Sequence, residues 1–123
     1  MDKKRILIVD DEKDFVTTML ALLQNQGYEV LSAFDGIDGL QKIKSNTVDL
    51  IVLDVMMPRL DGYKVCRMIK FDKKYKGIPI VMLTARVHEE DVKLGEEVGA
   101  DAYVTKPIKP EILLDRIKNL LTA

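Results

Sequence analysis

Five short apolar runs recur along the chain, and longer segments with a different hydrophobic period separate them. The runs cover residues 6–9, 30–33, 50–53, 78–83 and 102–104. Runs of this length between polar residues predict buried β-strands. The segments between them place apolar residues three and four positions apart, which is the spacing of an amphipathic helix. We therefore predict strands that alternate with helices.

The first and last helical segments show this spacing best. Apolar residues stand at i, i+4, i+7 and i+8 in both, as Phe15, Met19, Leu22 and Leu23 in the first and Leu113, Ile117, Leu120 and Leu121 in the last. Residues typical of helix boundaries accompany the segments, namely Gly27, Asp35 with Gly36, Asp61 with Gly62, and Pro110. The fourth segment, residues 88–98, has the weakest apolar stripe because Gly95 interrupts it, and we expect it to be mobile.

Strands that alternate with helices predict a parallel sheet covered on both faces. Each parallel connection needs a crossover, and crossovers are almost always right-handed. We predict an α/β fold, a doubly wound (βα)5 unit with a five-stranded parallel sheet. The chain has 123 residues, 47% of them hydrophobic, and we expect residues 1–123 to form one domain.

Charge and cysteine content exclude several function classes. There are 19 Lys and Arg against 20 Asp and Glu, and this balance gives no electrostatic basis for binding nucleic acid or an anionic membrane. Cys66 is the only cysteine, which excludes an internal disulfide and a thiol zinc cluster, and we expect it to be buried. The apolar runs are far shorter than the roughly 20 residues of a membrane helix, and we expect a cytoplasmic protein.

Acidic, hydroxyl and amine side chains follow the predicted strands. Asp10 and Asp11 follow the first strand, Asp54 the third, Thr84 the fourth and Lys106 the fifth. The carboxyl ends of parallel strands lie along one edge of a sheet, and ligands bind at that edge. We therefore expect three carboxylates, a hydroxyl and an amine to converge there.

Clustered carboxylates repel one another unless a proton or a cation neutralises them. Mg²⁺ suits an open acidic site, and with Mg²⁺ and Lys106 beside three carboxylates the formal charges sum to zero. An exposed Asp54 carboxylate in this setting is suited to accept a phosphoryl group. Lys106 would neutralise charge on that group, and Thr84 would donate a hydrogen bond to it.

Taken singly, these residues also suit ordinary structural roles. Asp10 or Asp11 suits the N-cap of the first helix, and Thr84 suits that of the fourth. Asp54 suits the start of a turn, and Lys106 suits a solvated surface position. Their common location at one edge of the sheet favours the functional interpretation.

The ordered motifs resemble the receiver domain of two-component response regulators, including the single-domain chemotaxis regulators. The resemblance covers nearly the whole chain and rests on Ile6-Leu7-Ile8-Val9-Asp10-Asp11-Glu12, Leu53-Asp54-Val55-Met56-Met57-Pro58, Asp61-Gly62, Leu83-Thr84-Ala85, Gly99-Ala100-Asp101 and Lys106-Pro107. It implies a flavodoxin-like three-layer sandwich with strand order 2-1-3-4-5.

The resemblance implies that Asp54 receives its phosphoryl group from a phosphohistidine on a sensor histidine kinase or a histidine phosphotransfer protein. It implies that Mg²⁺ or Mn²⁺ is bound by Asp11, Asp54 and the backbone carbonyl of Met56, with Asp10 acting mainly through water. Such a domain catalyses its own phosphorylation and dephosphorylation and is not an enzyme for an external substrate.

The resemblance also implies a switch. Lys106 would pair with the phosphoryl group and the carboxylate, and the peptide bond from Lys106 to Pro107 would be cis. Thr84 would move toward the new oxygens, and Tyr103 would turn into the vacated space. The output face would be the fourth helix, the fifth strand and the fifth helix, facing an unidentified effector. The domain would be a monomer or a weak phosphorylation-dependent dimer without direct nucleic-acid or membrane contact.

Competing function classes fit less well. A flavodoxin-like flavin binder needs a phosphate cradle after the first strand, where Asp10 and Asp11 would repel the phosphate. A haloacid-dehalogenase-type phosphatase needs Asp-x-Asp, but Met56 stands two residues after Asp54. The P-loop pattern is absent from the sequence. A receiver-like interaction module that is never phosphorylated stays open.

Overall fold

The computed structural model describes residues 3–57, 61–84, 93 and 97–122. Within this part of the chain five strands form one sheet: β1 Arg5–Val9, β2 Glu29–Ala33, β3 Leu50–Asp54, β4 Ile80–Thr84 and β5 Ala102–Thr105. The strand order is β2-β1-β3-β4-β5, and all neighbouring strands are parallel. The predicted α/β fold class and strand order are confirmed.

Four helices lie within the described residues: α1 Lys13–Asn25, α2 Gly36–Ser45, α3 Gly62–Lys70 and α4 Pro110–Thr122. The side chains of Asp35 and Asp61 cap α2 and α3, because each accepts a hydrogen bond from the backbone N–H three residues later. Gly27 follows α1 with φ of 91°, a conformation that glycine adopts readily. These boundaries agree with the predicted ones.

The predicted helix at residues 88–98 lies mostly outside the described residues. The structure describes Lys93, Glu97 and Val98 from this range, and all three have helical backbone. The expectation that this segment is mobile concerns residues that the structure does not describe, and it stays a prediction.

Helices cover both faces of the sheet. Leu7 and Val9 of β1 belong to the apolar layer under α2 and α3, whereas Ile6 and Ile8 belong to the layer under α1 and α4. This alternation follows from the two-residue period of a strand. Cys66 of α3 is fully buried in the first layer, as predicted, and burial raises the pKa of its thiol to about 12.

The register of the central strands brings their last residues together. Val9 is paired with Leu53, so Asp10 follows β1 beside the end of β3, and Asp54 is paired with Leu83 of β4. Among the described residues, no helix is both long enough and apolar enough to cross a membrane.

Candidate functional site

Three carboxylates meet at the carboxyl ends of β1 and β3. Asp10, Asp11 and Asp54 each offer an oxygen, and these oxygens lie within 4.8 Å of one another. Asp10 and Asp11 come from the segment between β1 and α1, and Asp54 is the last residue of β3. Asp54 lies more than forty residues after Asp10 and Asp11 in the sequence, yet the three acids form one cluster. This is what the common edge of parallel strands predicts.

Local turns hold one oxygen of each buried acid. Oδ1 of Asp10 accepts a hydrogen bond from the backbone N–H of Glu12 at 2.9 Å, and Oδ1 of Asp54 accepts one from that of Met56 at 3.3 Å. Glu12, rather than Asp10 or Asp11, occupies the N-cap position of α1, and its side chain makes no capping hydrogen bond. Asp54 therefore starts a turn and belongs to the acidic cluster as well.

The second oxygen of Asp10 suits a cation. Oδ2 of Asp10 is buried and has no hydrogen-bond partner among the described residues, although Lys106 Nζ lies 3.7 Å away. A buried carboxylate oxygen without a hydrogen bond is costly. Together with the exposed Asp11 and the buried Asp54, Asp10 offers the hard oxygen ligands that Mg²⁺ prefers, and the donor set therefore fits a divalent cation.

Lys106 is the basic group of the cluster. Its Nζ lies 3.4 Å from Oδ1 of Asp54, and its side chain is 25% exposed. Its backbone N–H donates to the carbonyl oxygen of Thr84 at 2.7 Å, which holds the end of β5 against the end of β4. The peptide bond between Lys106 and Pro107 is cis. The ring of Phe15 in α1 lies 5.9 Å from Nζ, a distance at which an aromatic face attracts an ammonium group.

Burial sets the electrostatics of the cluster and corrects one expectation. Asp54 is 3% exposed and Asp10 is fully buried, so Asp54 is not the exposed carboxylate that the sequence argument assumed. β3 is an interior strand between β1 and β4, so Asp54 at its end has a strand on either side.

These buried groups have shifted pKa values. Burial raises the pKa of Asp10 from 3.8 to about 6, and it also raises that of Asp54, against the opposing influence of Lys106. Burial by itself would lower the pKa of Lys106, but the charges of Asp10 and Asp54 outweigh it and the pKa is raised. Lys106 is therefore an ammonium at neutral pH, and among the described residues its positive charge faces the carboxylates of Asp10 and Asp54.

The other predicted site residues lie at different depths. Thr84 is the last residue of β4, is 3% exposed, and is paired with Thr105. Tyr103 lies within β5, is paired with Met82, and packs against the apolar layer under α2 and α3. Met56 is 55% exposed and lies two residues after the end of β3. Only Thr84 of these shares the buried edge with Asp10 and Asp54.

Gly62 is in contact with the site, although from the sequence we assign it no site role and use it as a helix boundary and as part of the Asp61-Gly62 motif. A Cβ placed on Gly62 would collide with the backbone carbonyl oxygen of Asp54 and would lie 2.8 Å from Cα of Val55. The N–H of Gly62 donates to the carbonyl oxygen of Val55 at 3.0 Å. The Asp61-Gly62 pair was the available signal in the sequence, but contact with the backbone of Asp54 depends on tertiary packing.

Comparison with known proteins agrees with this geometry. The family model described as response regulator receiver domain matches residues 6–118. The chain is 47% identical over 118 residues to the alkaline phosphatase synthesis transcriptional regulatory protein PhoP of Bacillus subtilis, covering 96% of this chain and 48% of that protein. It is 40% identical over 117 residues to protein PilG of Pseudomonas aeruginosa, covering 95% of this chain and 87% of that protein.

The fold is also shared with a solved structure. The chemotaxis protein CheY4 of Vibrio cholerae superposes with a TM-score of 0.92 at 34% identity, over 98% of this chain and all of that one. The chain spans about half the length of PhoP, with 48% of that relative covered, and most of the length of PilG. The family match and the acidic edge lead to the same conclusion: the chain belongs to the receiver domain family of two-component response regulators.

Proposed function

We propose that this domain accepts a phosphoryl group on Asp54 from the phosphohistidine of a sensor histidine kinase or a histidine phosphotransfer protein. The observation that carries the proposal is the pairing of Asp54 Oδ1 with Lys106 Nζ at 3.4 Å inside a cluster of three carboxylates. An ammonium at this place neutralises negative charge both on the acceptor and on the incoming group, and catalysis of phosphoryl transfer depends mainly on such positioning and electrostatics.

The transfer step needs an ionised Asp54. One of its oxygens attacks phosphorus, the bond between phosphorus and the donor nitrogen breaks, and its electron pair returns to that nitrogen. The product is an acyl phosphate on Asp54 and a free histidine. Lys106 favours the ionised form of Asp54, and the Thr84 hydroxyl supplies a donor for one phosphoryl oxygen.

The cation site of the proposal comprises the carboxylates of Asp10, Asp11 and Asp54 and the backbone carbonyl of Met56. A bound Mg²⁺ or Mn²⁺ would neutralise the carboxylates and the transferring phosphoryl group together. The buried Oδ2 of Asp10 supports this assignment, because the described residues give it no hydrogen bond.

Phosphoryl uptake from a small acyl-phosphate donor tests the function. With Mg²⁺ present, the wild type is expected to gain one phosphoryl group, seen as a single shift in intact mass, and Asp54→Asn is expected to gain none. Chelation of Mg²⁺ should suppress the shift in the wild type. Equal modification of both proteins would reject Asp54 as the acceptor. If neither protein were modified, the alternative of an unphosphorylated interaction module would be favoured.

Removal of the Asp11 carboxylate tests the cation site. Asp11→Ala is expected to weaken Mg²⁺ binding at least about tenfold, because one oxygen ligand and one negative charge are lost together. Isothermal titration calorimetry with Mg²⁺ measures the change. Asp14→Ala is the matched control, since Asp14 is an exposed acid of α1 outside the cluster. Similar affinities of wild type and Asp11→Ala would place the cation elsewhere.

The remaining parts of the proposal concern the response. Thr84 and Tyr103 form the switch, and the surface of β5, α4 and the segment at residues 88–98 is the output face. A cytoplasmic location, a single domain over residues 1–123, and a monomer or weak phosphorylation-dependent dimer complete it. The effector is a separate protein or a further domain, as suggested by the greater length of PhoP, of which this chain covers 48%.

A further inference from the structure

A groove between α2 and α3 lies away from the acidic cluster. Two adjoining hollows of about 400 Å³ and about 100 Å³ share Ile43, Lys44 and Tyr75. They follow the C-terminal ends of both helices and the loop before β4. Because β3 runs from this edge of the sheet to Asp54, its length separates the groove from the acceptor by roughly 15 Å.

The groove has an apolar floor and an exposed apolar border. Ile43 and Ile69 are buried beneath it, and Tyr75 is half-buried in its wall. Met68 lines the smaller hollow and is 54% exposed. Single exposed apolar residues are common on protein surfaces, but apolar residues that border a concave surface mark binding grooves.

Lysines surround this apolar surface. Lys44 and Lys74 line the larger hollow, and Lys73 and Lys76 flank Lys74 in the loop. Within the described chain, none of the four lies in an ion pair. Asp72 is the acid of this loop, and its Oδ1 already accepts the backbone N–H of Lys74 at 2.8 Å.

Two lysines of α2 and α3 that do not line the groove pair with carboxylates. Lys70 Nζ lies 2.7 Å from Oδ2 of Asp101, and Lys42 Nζ lies 3.1 Å from Oδ2 of Asp38. Lys74 Nζ lies 5.5 Å from the centre of the Tyr75 ring, but this contact does not neutralise its charge. Lys44 and Lys74 therefore differ from Lys70 and Lys42, each of which pairs with a carboxylate. Asp72 also lines the smaller hollow, so the two lysines leave the lining with a net positive charge in a protein whose overall net charge is −1.

We propose that this groove binds an acidic peptide segment of a partner protein. Apolar side chains of the segment enter between α2 and α3, and its carboxylates meet Lys44 and Lys74. A concave, partly apolar groove matches a peptide chain better than a flat membrane surface. A symmetric contact with a second copy would oppose lysine to lysine, which electrostatic repulsion disfavours. The groove lies roughly 15 Å from Asp54, so a bound segment would not contact the Asp54 carboxylate.

Selection from a displayed library of random peptides tests the proposal. The wild type is the bait, and peptides that also bind the double variant Lys44→Glu/Lys74→Glu are removed. We expect enriched peptides that combine acidic residues with aromatic or aliphatic ones. The affinity of an enriched synthetic peptide should fall at least about tenfold in the double variant and should fall with added salt.

Further variants test whether the peptide binds in the groove itself. Lys4→Glu/Lys118→Glu makes the same charge change at exposed residues elsewhere and should bind the peptide as the wild type does. Met68→Ser should weaken binding through the apolar border, and Asp54→Asn should not change it. This last comparison keeps the result independent of the phosphoryl-uptake experiment.

Three outcomes would overturn the proposal. They are a selection without enrichment, enriched peptides that lack acidic residues, and equal affinity for wild type and Lys44→Glu/Lys74→Glu. Vesicles containing phosphatidylserine that bind in place of peptides would indicate a membrane surface instead. Self-association of the wild type that the double variant loses would indicate a second copy of the chain. Both of these results would also reject a peptide partner.

Discussion

Asp10→Asn is expected to raise the free energy of unfolding of the metal-free protein by about 3 kcal/mol at pH 8. Asp10 is fully buried, and burial raises its pKa from 3.8 to about 6. Above pH 6 the folded protein must hold an ionised, buried carboxylate beside Asp54 and Asp11. Asparagine keeps an oxygen that can accept the hydrogen bond from the backbone N–H of Glu12, and it removes the negative charge of the carboxylate.

The expected pH dependence has a definite sign. The folded state binds the Asp10 proton more tightly than the unfolded state does, so the stabilising contribution is complete below about pH 4 and is lost as pH rises through 6. The gain from Asp10→Asn should therefore shrink to about half at pH 5. Urea denaturation in the presence of a chelator at pH 5 and pH 8 measures both values.

Two controls sharpen this experiment. Asp14→Asn removes an exposed acid of α1 and should change the free energy of unfolding by no more than about 0.5 kcal/mol. Mg²⁺ should stabilise the wild type more than Asp10→Asn, because binding to the folded state alone adds stability. If Asp10→Asn were no more stable than the wild type at pH 8, ionised Asp10 would not destabilise the folded protein, and the prediction would be wrong.

Gly62→Ala is expected to destabilise the fold by about 1–3 kcal/mol and to slow phosphoryl uptake. The new methyl group would collide with the carbonyl oxygen of Asp54 and lie 2.9 Å from its carbonyl carbon. Backbone atoms cannot rotate away as a side chain can, so α3 or the backbone at Asp54 and Val55 must shift. Alanine favours helices over glycine by about 0.5–1 kcal/mol, which offsets only part of this cost.

The displacement should also be visible in the reaction. A shift of about 1 Å at the acceptor is enough to lower a rate about a hundredfold. Urea denaturation and the rate of phosphoryl uptake from an acyl phosphate measure the two effects. Gly77→Ala is the matched control, because a Cβ on Gly77 meets no heavy atom within 4 Å. Equal stability and equal uptake rates for Gly62→Ala and Gly77→Ala would contradict the close contact seen at Gly62.

The sheet could be predicted because its signals are local. Each strand is a short apolar run, and Asp35 and Asp61 stand at helix starts where their side chains satisfy backbone N–H groups. Because parallel strands end on one edge of a sheet, the sequence was enough to predict that Asp10, Asp11 and Asp54 lie close together, as they do in the structure. The strand order itself came from the family resemblance, since local patterns do not specify which strands are neighbours.

The features that could not be predicted depend on tertiary packing. The burial of Asp54 results from the strands on either side of β3, and nothing adjacent to it in sequence reports them. The contact of Gly62 with the acceptor backbone depends on the position of α3. Phe15 was assigned to the apolar face of α1, yet its ring also lies 5.9 Å from Lys106 Nζ. A helical period gives the direction of a side chain but not its distant neighbours.

The position of Lys106 has a mechanical consequence. Its ammonium lies 3.4 Å from Oδ1 of Asp54, and its backbone N–H donates to the carbonyl oxygen of Thr84 at the end of β4. Lys106 directly follows β5, which lies at the edge of the sheet and pairs with β4 alone among the described strands. If Asp54 gains negative charge, we expect the stronger attraction on Lys106 to act on β5, which one strand pairing holds in place, more than on the interior strands, which have two.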